Sequence, residues 1–220
     1  MEGNQYKRKD NTMYLTEYFY RVKIIEPILP VLSKTFLTPN MITIFNCFFS
    51  LLIYYLAYQE QFLIAAIGIQ IFVILDTLDG SLARYKDMQS KFGAKLDDIN
   101  DRVFYTLIFI FIGIKSIPLY LIVLVILLVN LYAIIAAYYI TPRLSRLKTI
   151  ERRGLKKYFM DRGFILGMDL GNIDLLISLF LILNEIYYLY IVLAAGLILD
   201  LTVRLLELKR NEKLQANVIS

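Results

Sequence analysis

Long apolar runs alternate with short polar links along most of the chain. The runs approach the roughly 20 residues that an α-helix needs to cross a ~30 Å hydrocarbon layer. Six of them are candidate spans, at residues 41–58, 62–78, 99–114, 118–140, 164–183 and 187–208. The links at 59–61, 115–117 and 184–186 predict tight hairpins between neighbours. The pattern therefore predicts an all-α integral membrane protein with six transmembrane helices.

A shorter amphipathic stretch precedes the first run. Between residues 14 and 25, apolar side chains recur at intervals of three and four, with charged side chains on the other side, as in an amphipathic helix. We expect this helix to lie in the membrane interface and to be broken by Pro27 and Pro30. An ordinary solvated linker is the alternative. The chain thus divides into a cytoplasmic N-terminus (1–38), a membrane domain (39–208) and a cytoplasmic tail (209–220).

Composition agrees with a membrane protein and limits its chemistry. Of 220 residues, 58% are hydrophobic, and the mean hydropathy is +0.58. Cys47 is the only cysteine, so a disulfide framework is impossible and a zinc site is not expected. The absence of histidine excludes histidine catalysis and histidine-ligated metals. A metal must be held by oxygen, which favours magnesium, manganese or calcium.

Basic residues are divided unevenly between the two ends of the predicted helices. If both termini are cytoplasmic, only Lys115 of the 24 Lys and Arg residues lies on the far side. The positive-inside rule therefore predicts cytoplasmic termini. The basic segment 141–162 has two interpretations: topology charge with attraction for anionic lipid, or a docking site for an anionic substrate.

Four aspartates stand at the facing ends of the second and third runs. Asp76 and Asp79 are three residues apart, and Asp97 and Asp101 are four apart, so each pair shares a helix face. Two antiparallel helices joined by a short loop can point all four carboxylates into one pocket. Their desolvation and repulsion are costly, and two divalent cations would remove that cost while holding a pyrophosphate. Interfacial helix caps in contact with water are the alternative.

Small and basic residues surround the aspartates. Gly80 and Ala83 leave room for a ligand beside the helix, and Arg84 offers a planar set of donors to a phosphate. Gly93 permits close approach of helix and loop ahead of the second aspartate pair. These residues favour a binding site over a set of unrelated caps.

The segment from Asp76 to Asp101 resembles the signature of the CDP-alcohol phosphotransferase (phosphatidyltransferase) family, D-x-x-D-G-x-x-A-R, a spacer, then G-x-x-x-D-x-x-x-D. Every fixed position matches, with an eight-residue spacer at the short end of the family's range. The six-span layout is similar too. The resemblance implies an enzyme that transfers a phospho-alcohol group from a CDP-alcohol to an acceptor hydroxyl and releases CMP, in phospholipid or polar-lipid biosynthesis.

The resemblance also implies individual roles. Asp76, Asp79 and Asp97 are expected to be metal ligands for two divalent cations, magnesium or manganese. Asp101 is expected to be both a ligand and the general base that deprotonates the acceptor hydroxyl. It also implies a homodimer, and an active site at the cytoplasmic face of a prokaryotic cell membrane, among membrane lipids and with no nucleic-acid partner.

Five further residues are expected at the nucleotide. By resemblance, Gly80, Ala83 and Arg84 would line the cytidine diphosphate site. Asn40 and Thr43 lie in a Pro-Asn-x-x-Thr segment, which is similar to the one that opens the first span in many relatives. For Asn40 the alternative is a helix cap.

The sequence leaves the substrate pair open. One pair is a CDP-diacylglycerol-like donor with a small polyol acceptor; the other is a soluble CDP-alcohol (choline, ethanolamine or polyol type) with a lipid acceptor. A cation transporter is the remote alternative, although the sequence lacks the internal repeats common in transporters.

Asp169, Asp174 and Asp200 also lie within the predicted spans. Asp200 precedes Arg204 by four residues, which predicts an internal ion pair; a functional intramembrane carboxylate is the alternative. Asp169 and Asp174 flank the start of the fifth run, where they would cap the helix or contact the acceptor.

Overall fold

In a computed structural model, most of the described residues are helical. The structure describes residues 12–147, 150–152 and 154–219. The helices within these residues are α1 (15–32), α2 (Pro39–Tyr58), α3 (Phe62–Tyr85), α4 (Lys91–Gly113), α5 (Leu119–Arg146), α6 (Gly154–Met160), α7 (Leu170–Ile182) and α8 (Ile186–Ile219). Strands β1 (Met13–Tyr14) and β2 (Phe164–Ile165) form a short parallel pair. Lys148, Thr149 and Arg153 of the basic segment lie outside the described residues, as do residues 1–11 and Ser220.

Four helices of the described part are long and apolar enough to cross a membrane: α2, α3, α5 and α8. Of the other two predicted spans, α4 has 23 residues but begins with charged turns. Helix α7 has 13 residues, about 20 Å at 1.5 Å per residue, which is less than the ~30 Å hydrocarbon layer. The predicted start of the fifth run at residue 164 is wrong, because Phe164 lies in β2 and α7 begins only after the cap at Asp169.

The N-terminal helix α1 is continuous from residue 15 to residue 32. It comprises an α-helical turn (Leu15–Glu17), a π-helical stretch (Tyr18–Ile25) and a further α-helix (Glu26–Leu32). The expectation that Pro27 and Pro30 break it is therefore wrong. Pro27 stands where the π-helical stretch passes into the further α-helix, and Pro30 lies inside that helix.

Helices α3 and α4 carry the acidic motif and are longer than predicted at that end. Helix α3 continues beyond residue 78 to Tyr85, and α4 begins at Lys91 instead of residue 99. The Ser90 hydroxyl caps α4 by accepting a 2.9 Å hydrogen bond from the Gly93 N–H. The loop between the helices is thus confined to residues 86–90. Its Lys86 ammonium donates to the carbonyls of Thr35 and Leu37, which fixes the loop to the chain ahead of α2.

Helix α3 occupies the centre of the bundle, in contact with α1, α2 and α7. Small residues allow α2 and α3 to approach closely, as in many membrane helix pairs. A Cβ atom on Gly68 would lie 3.1 Å from Ile53 Cγ1. Deeper in the core, the fully buried rings of Phe72 and Phe104 stack with centroids 3.7 Å apart, which joins α3 to α4.

Large apolar side chains cover the outside of the bundle, including the exposed Phe48, Leu119 and Leu199. Such a surface suits lipid contact. At the end opposite the motif, the Lys115 ammonium lies 3.9 Å from the Glu60 carboxylate and 4.3 Å from the centroid of the Tyr58 ring. The predicted hairpins at 59–61 and 115–117 are therefore side by side at one end.

Candidate active site

Three of the four motif aspartates converge at the end of the α3–α4 pair. Carboxylate oxygens of Asp76, Asp97 and Asp101, one from each residue, lie within 4.8 Å of one another. Asp76 comes from α3 and the other two from successive turns of α4. Because oxygen is the ligand that magnesium and manganese prefer, this group can hold a divalent cation.

Two carboxylate oxygens of this aspartate group lack a hydrogen-bond partner among the described residues. Asp76 Oδ1 and Asp97 Oδ1 are buried and have no hydrogen-bond partner among the described residues. Buried polar atoms are normally satisfied, and a buried carboxylate oxygen without a partner costs free energy. A bound cation would satisfy both oxygens, so the residues present fit a metal.

Asp79 lies beside this group and is fixed from a third helix. Its side chain is buried, with 3% exposure. The Thr43 hydroxyl of α2 donates a 2.6 Å hydrogen bond to Asp79 Oδ2. This hydrogen bond orients the Asp79 carboxylate and links the Pro-Asn-x-x-Thr segment of α2 to the acidic motif.

A cavity of about 210 Å³ adjoins the aspartates. It is lined by all five residues expected at the nucleotide and by Pro39 of the same Pro-Asn-x-x-Thr segment. Met88, Gln89, Ser90 and Ala94 also line it, and sequence reasoning missed these four. The full lining is Pro39, Asn40, Thr43, Asp79, Gly80, Ala83, Arg84, Met88, Gln89, Ser90, Gly93, Ala94 and Asp97. Of the missed residues, only Ser90 has a recognisable signal, as a capping residue at the start of α4.

Gly93 is required by the close approach of α4 to α2. A Cβ atom at this position would lie 2.7 Å from Asn40 Oδ1 and 3.0 Å from Ser90 Oγ. Asn40 does not cap α2, so that alternative is wrong. Thr38 is the cap instead, since its extended backbone lets the side chain accept from the Met41 N–H at 3.3 Å. The Asn40 side chain is thereby left in the wall of the cavity.

Arg84 lies at the cavity with its guanidinium over Gly80. A Cβ atom on Gly80 would lie 3.5 Å from Arg84 Nη1. The Arg84 Nη2 group also donates to Ser81 Oγ at 3.2 Å. The side chain is otherwise exposed, which leaves donors of the planar group available to an anion in the cavity.

A buried polar network lies one helical turn from Asp101. The Tyr105 hydroxyl donates a 2.7 Å hydrogen bond to Asp174 Oδ2 on α7. The Gln70 side-chain amide donates to the Asp174 carbonyl at 3.2 Å and to Ser178 Oγ at 2.7 Å. Asp174 is 1% exposed and lies inside α7, so the prediction that it caps the helix is wrong.

Asp169 does cap α7, as predicted. Its carboxylate accepts from the Asn172 N–H at 2.9 Å and from the Thr16 hydroxyl at 3.0 Å. Burial raises the pKa of the Asp169 carboxyl, while both hydrogen bonds act in the opposite direction. The contact with Thr16 fixes α1 against the start of α7.

The predicted ion pair inside α8 is confirmed. Arg204 Nε donates to Asp200 Oδ2 at 2.7 Å, and Arg204 Nη2 donates to the Tyr14 hydroxyl at 2.6 Å. The Tyr132 hydroxyl donates to the same Asp200 oxygen. Asp200 is thus satisfied by partners within the chain.

Comparison with known proteins identifies the class of the site. The family model for CDP-alcohol phosphatidyltransferase matches residues 36–199. An uncharacterised Aquifex aeolicus protein is 32% identical over 95 residues, covering 43% of this chain and 48% of that protein. The archaetidylinositol phosphate synthase of Pyrococcus horikoshii is 38% identical over 79 residues, covering 36% of this chain and 42% of that enzyme. The matches thus span less than half the length of these curated relatives.

Solved structures share the fold over a longer stretch. Phosphatidylinositol phosphate synthase (PgsA1) of Mycobacterium tuberculosis with CDP-DAG bound has a TM-score of 0.59 and 17% identity, with 84% of this chain and 94% of that chain covered. The same enzyme with manganese and citrate gives a TM-score of 0.57 and 18% identity, with coverage of 84% and 88%. With the family model matched across the acidic motif and the helices that carry it, the chain belongs to the CDP-alcohol phosphatidyltransferase family.

Proposed function

We propose that this enzyme transfers a phosphatidyl-type group from a lipid CDP-alcohol to a hydroxyl of a phosphorylated polyol, releasing CMP. The observation that carries the proposal is the convergence of Asp76, Asp97 and Asp101 beside a cavity lined by the motif residues. The named relatives support this substrate pair: one is an archaetidylinositol phosphate synthase, and another is a phosphatidylinositol phosphate synthase with CDP-DAG bound.

The outer face of α2 supports a lipid donor. Asn40 and Thr43 line the cavity, and the apolar side chains of Met41, Phe45 and Phe48 are exposed on the other face of the same helix. These three positions are separated by four and three residues, so they form one stripe along the helix. An acyl or isoprenoid chain can lie on this stripe while the nucleotide head occupies the cavity.

The aspartates would divide the work of binding and proton transfer. Asp76, Asp79 and Asp97, together with Asp101, would hold two divalent cations, magnesium or manganese. When bound, such cations act as Lewis acids toward phosphoryl oxygens and supply much of the charge stabilisation. The Thr43 hydroxyl holds Asp79 in position.

Asp101 is the proposed general base. It accepts the proton of the acceptor hydroxyl. The hydroxyl oxygen forms a bond to the phosphorus distal to cytidine, and the bond from that phosphorus to the CMP oxygen breaks. Arg84 and the wall formed by Gly80, Ala83 and Asn40 hold the nucleotide in line for the displacement.

The proposed setting is a six-span membrane domain at residues 39–208 of a prokaryotic cell membrane, with the cavity and both termini on the cytoplasmic side. In this arrangement α4 and α7 complete the bundle beside the four helices of membrane-spanning length. The clustering of basic residues at the motif end supports the orientation. A homodimer is part of the proposal on family grounds.

CMP release by the purified enzyme tests the substrate pair. The donors are CDP-diacylglycerol, CDP-archaeol, CDP-choline and CDP-ethanolamine; the acceptors are inositol phosphate, glycerol phosphate, inositol and, for the soluble donors, diacylglycerol. The proposal predicts turnover with a lipid donor and a phosphorylated polyol in the presence of manganese or magnesium. Turnover only with a soluble CDP-alcohol and a lipid acceptor would overturn this substrate assignment in favour of the alternative pair.

A further inference from the structure

A second cavity lies between α6 and the cytoplasmic half of α8, apart from the active site. Its volume is about 420 Å³, and it is lined by Lys156, Val203, Leu206, Glu207 and Arg210. None of these residues belongs to the lining of the first cavity. The cavity thus has a separate set of charged and apolar groups.

The position along α8 places this cavity near the membrane surface. Helix α8 has 34 residues, about 51 Å at 1.5 Å per residue, whereas the hydrocarbon layer is ~30 Å thick. Roughly 20 residues from Ile186 cross that layer, so the residues around Val203 and Leu206 leave it. The cavity is therefore at the depth of lipid head groups.

The polar wall of the cavity has an excess of positive charge. Glu207 is paired with Lys156, and with Arg152 at 3.7 Å. Arg210 donates from Nη2 to the carbonyl of Glu151 at 2.7 Å. The lining thus holds two cationic side chains against one carboxylate, which favours an anionic ligand at this depth.

An apolar track runs from the cavity toward the bilayer. Leu199, Val203 and Leu206 are 66%, 43% and 62% exposed, and their spacing of four and three residues places them on one face of α8. Arg210 follows Leu206 by four residues on that face, so the track ends at the cationic wall.

We propose that this cavity binds one anionic phospholipid. The lipid phosphate interacts with the Arg210 guanidinium and the Lys156 ammonium, and an acyl chain lies along Leu199, Val203 and Leu206. The bound lipid joins α6 to α8 and stabilises the cytoplasmic end of the bundle. The inference is independent of the substrate pair proposed above, because it uses none of the active-site residues.

Thermal unfolding of the full chain in detergent, titrated with phosphatidylglycerol, tests the proposal. We expect phosphatidylglycerol to raise the Tm of the wild-type protein more than phosphatidylcholine does. Arg210→Gln should weaken the apparent lipid affinity about tenfold, which is the usual scale for one charge-assisted hydrogen bond. The matched control is Lys209→Gln, because Lys209 is exposed and lies outside the cavity lining; it should retain the wild-type response.

A second pair of variants controls for a general effect of removing one positive charge from this end of the protein. Lys156→Gln should lower the response and Lys157→Gln should not, since only Lys156 lines the cavity. Equal responses from cavity and control variants would overturn the proposal. So would an equal Tm increase with phosphatidylcholine, an equal increase with inorganic phosphate at the same concentration, or an increase that depends on protein concentration, as expected for a second copy of the chain.

Discussion

The Tyr105 hydroxyl donates a 2.7 Å hydrogen bond to Asp174 Oδ2, which joins α4 to α7 four residues beyond Asp101. Asp101 and Tyr105 share a face of α4 because they are one turn apart. The hydrogen bond therefore fixes the rotation of the helix that presents Asp101 to the acidic cluster. Asp174 Oδ1 is buried and has no partner among the described residues, so the Tyr105 hydroxyl is the side-chain donor that the structure provides to this carboxylate.

Tyr105→Phe should destabilise the protein by roughly 1–3 kcal/mol, the cost of leaving a buried acceptor unsatisfied. Thermal or denaturant unfolding in detergent measures the change. Tyr120→Phe is the control, because Tyr120 is exposed and should tolerate loss of its hydroxyl. Equal stability of the Tyr105 variant and the wild type would show that the hydrogen bond does not support the helix pair.

Thr43→Val should weaken metal binding, because Asp79 loses the hydroxyl that orients it. A hydrogen bond to a charged group contributes about 1.5–3 kcal/mol, so the metal concentration for half-maximal activity should rise by roughly tenfold or more. Thr43→Ser retains the hydroxyl and is the matched control. If the valine and serine variants require the same metal concentration, Thr43 has no role in positioning Asp79.

Gly93→Ala should weaken CDP-alcohol binding, since the new Cβ would lie 2.7 Å from Asn40 Oδ1 and would displace that side chain into the cavity. Binding of a CDP-alcohol to the wild type, both single variants and the double variant measures the effect. In the Gly93→Ala background, Asn40→Ala should relieve the contact. It should therefore reduce CDP-alcohol affinity less than Asn40→Ala does in the wild-type background. If the two substitutions reduce the binding free energy additively, the contact between residue 93 and Asn40 is not the cause of the weaker binding.

The acidic cluster could be predicted from local sequence patterns. Each aspartate pair lies within a single helix, and spacings of three and four residues place both members of a pair on the same helix face. Contacts between distant segments were not accessible in this way. Asp174 is 69 residues from Tyr105, and no local pattern distinguishes it from a cap such as Asp169. The alternative that Asn40 caps α2 was wrong because Thr38 and Asn40 are both of capping type, and the backbone conformation at Thr38 decides between them.

Helix boundaries departed from the sequence prediction where polar residues continue a helix. Hydropathy ended the second run at residue 78, whereas α3 continues through Arg84 to Tyr85. Charged residues beyond the apolar run favour helix as much as loop. The prolines in α1 were misjudged for a different reason, since the π-helical stretch ahead of Pro27 has no recognised sequence signal.

The rate of CMP release by Asp101→Asn, at saturating metal and CDP-alcohol, tests the central claim most directly. Loss of a general base lowers turnover by roughly 10²–10⁴-fold, and we expect at least this loss while CDP-alcohol binding is largely retained. Asp98→Asn is the control, because Asp98 is exposed and pairs with Arg102 at 3.1 Å; it should keep wild-type turnover. Near-normal turnover of Asp101→Asn, or an equal loss in Asp98→Asn, would contradict the assignment of Asp101 as the base in this site.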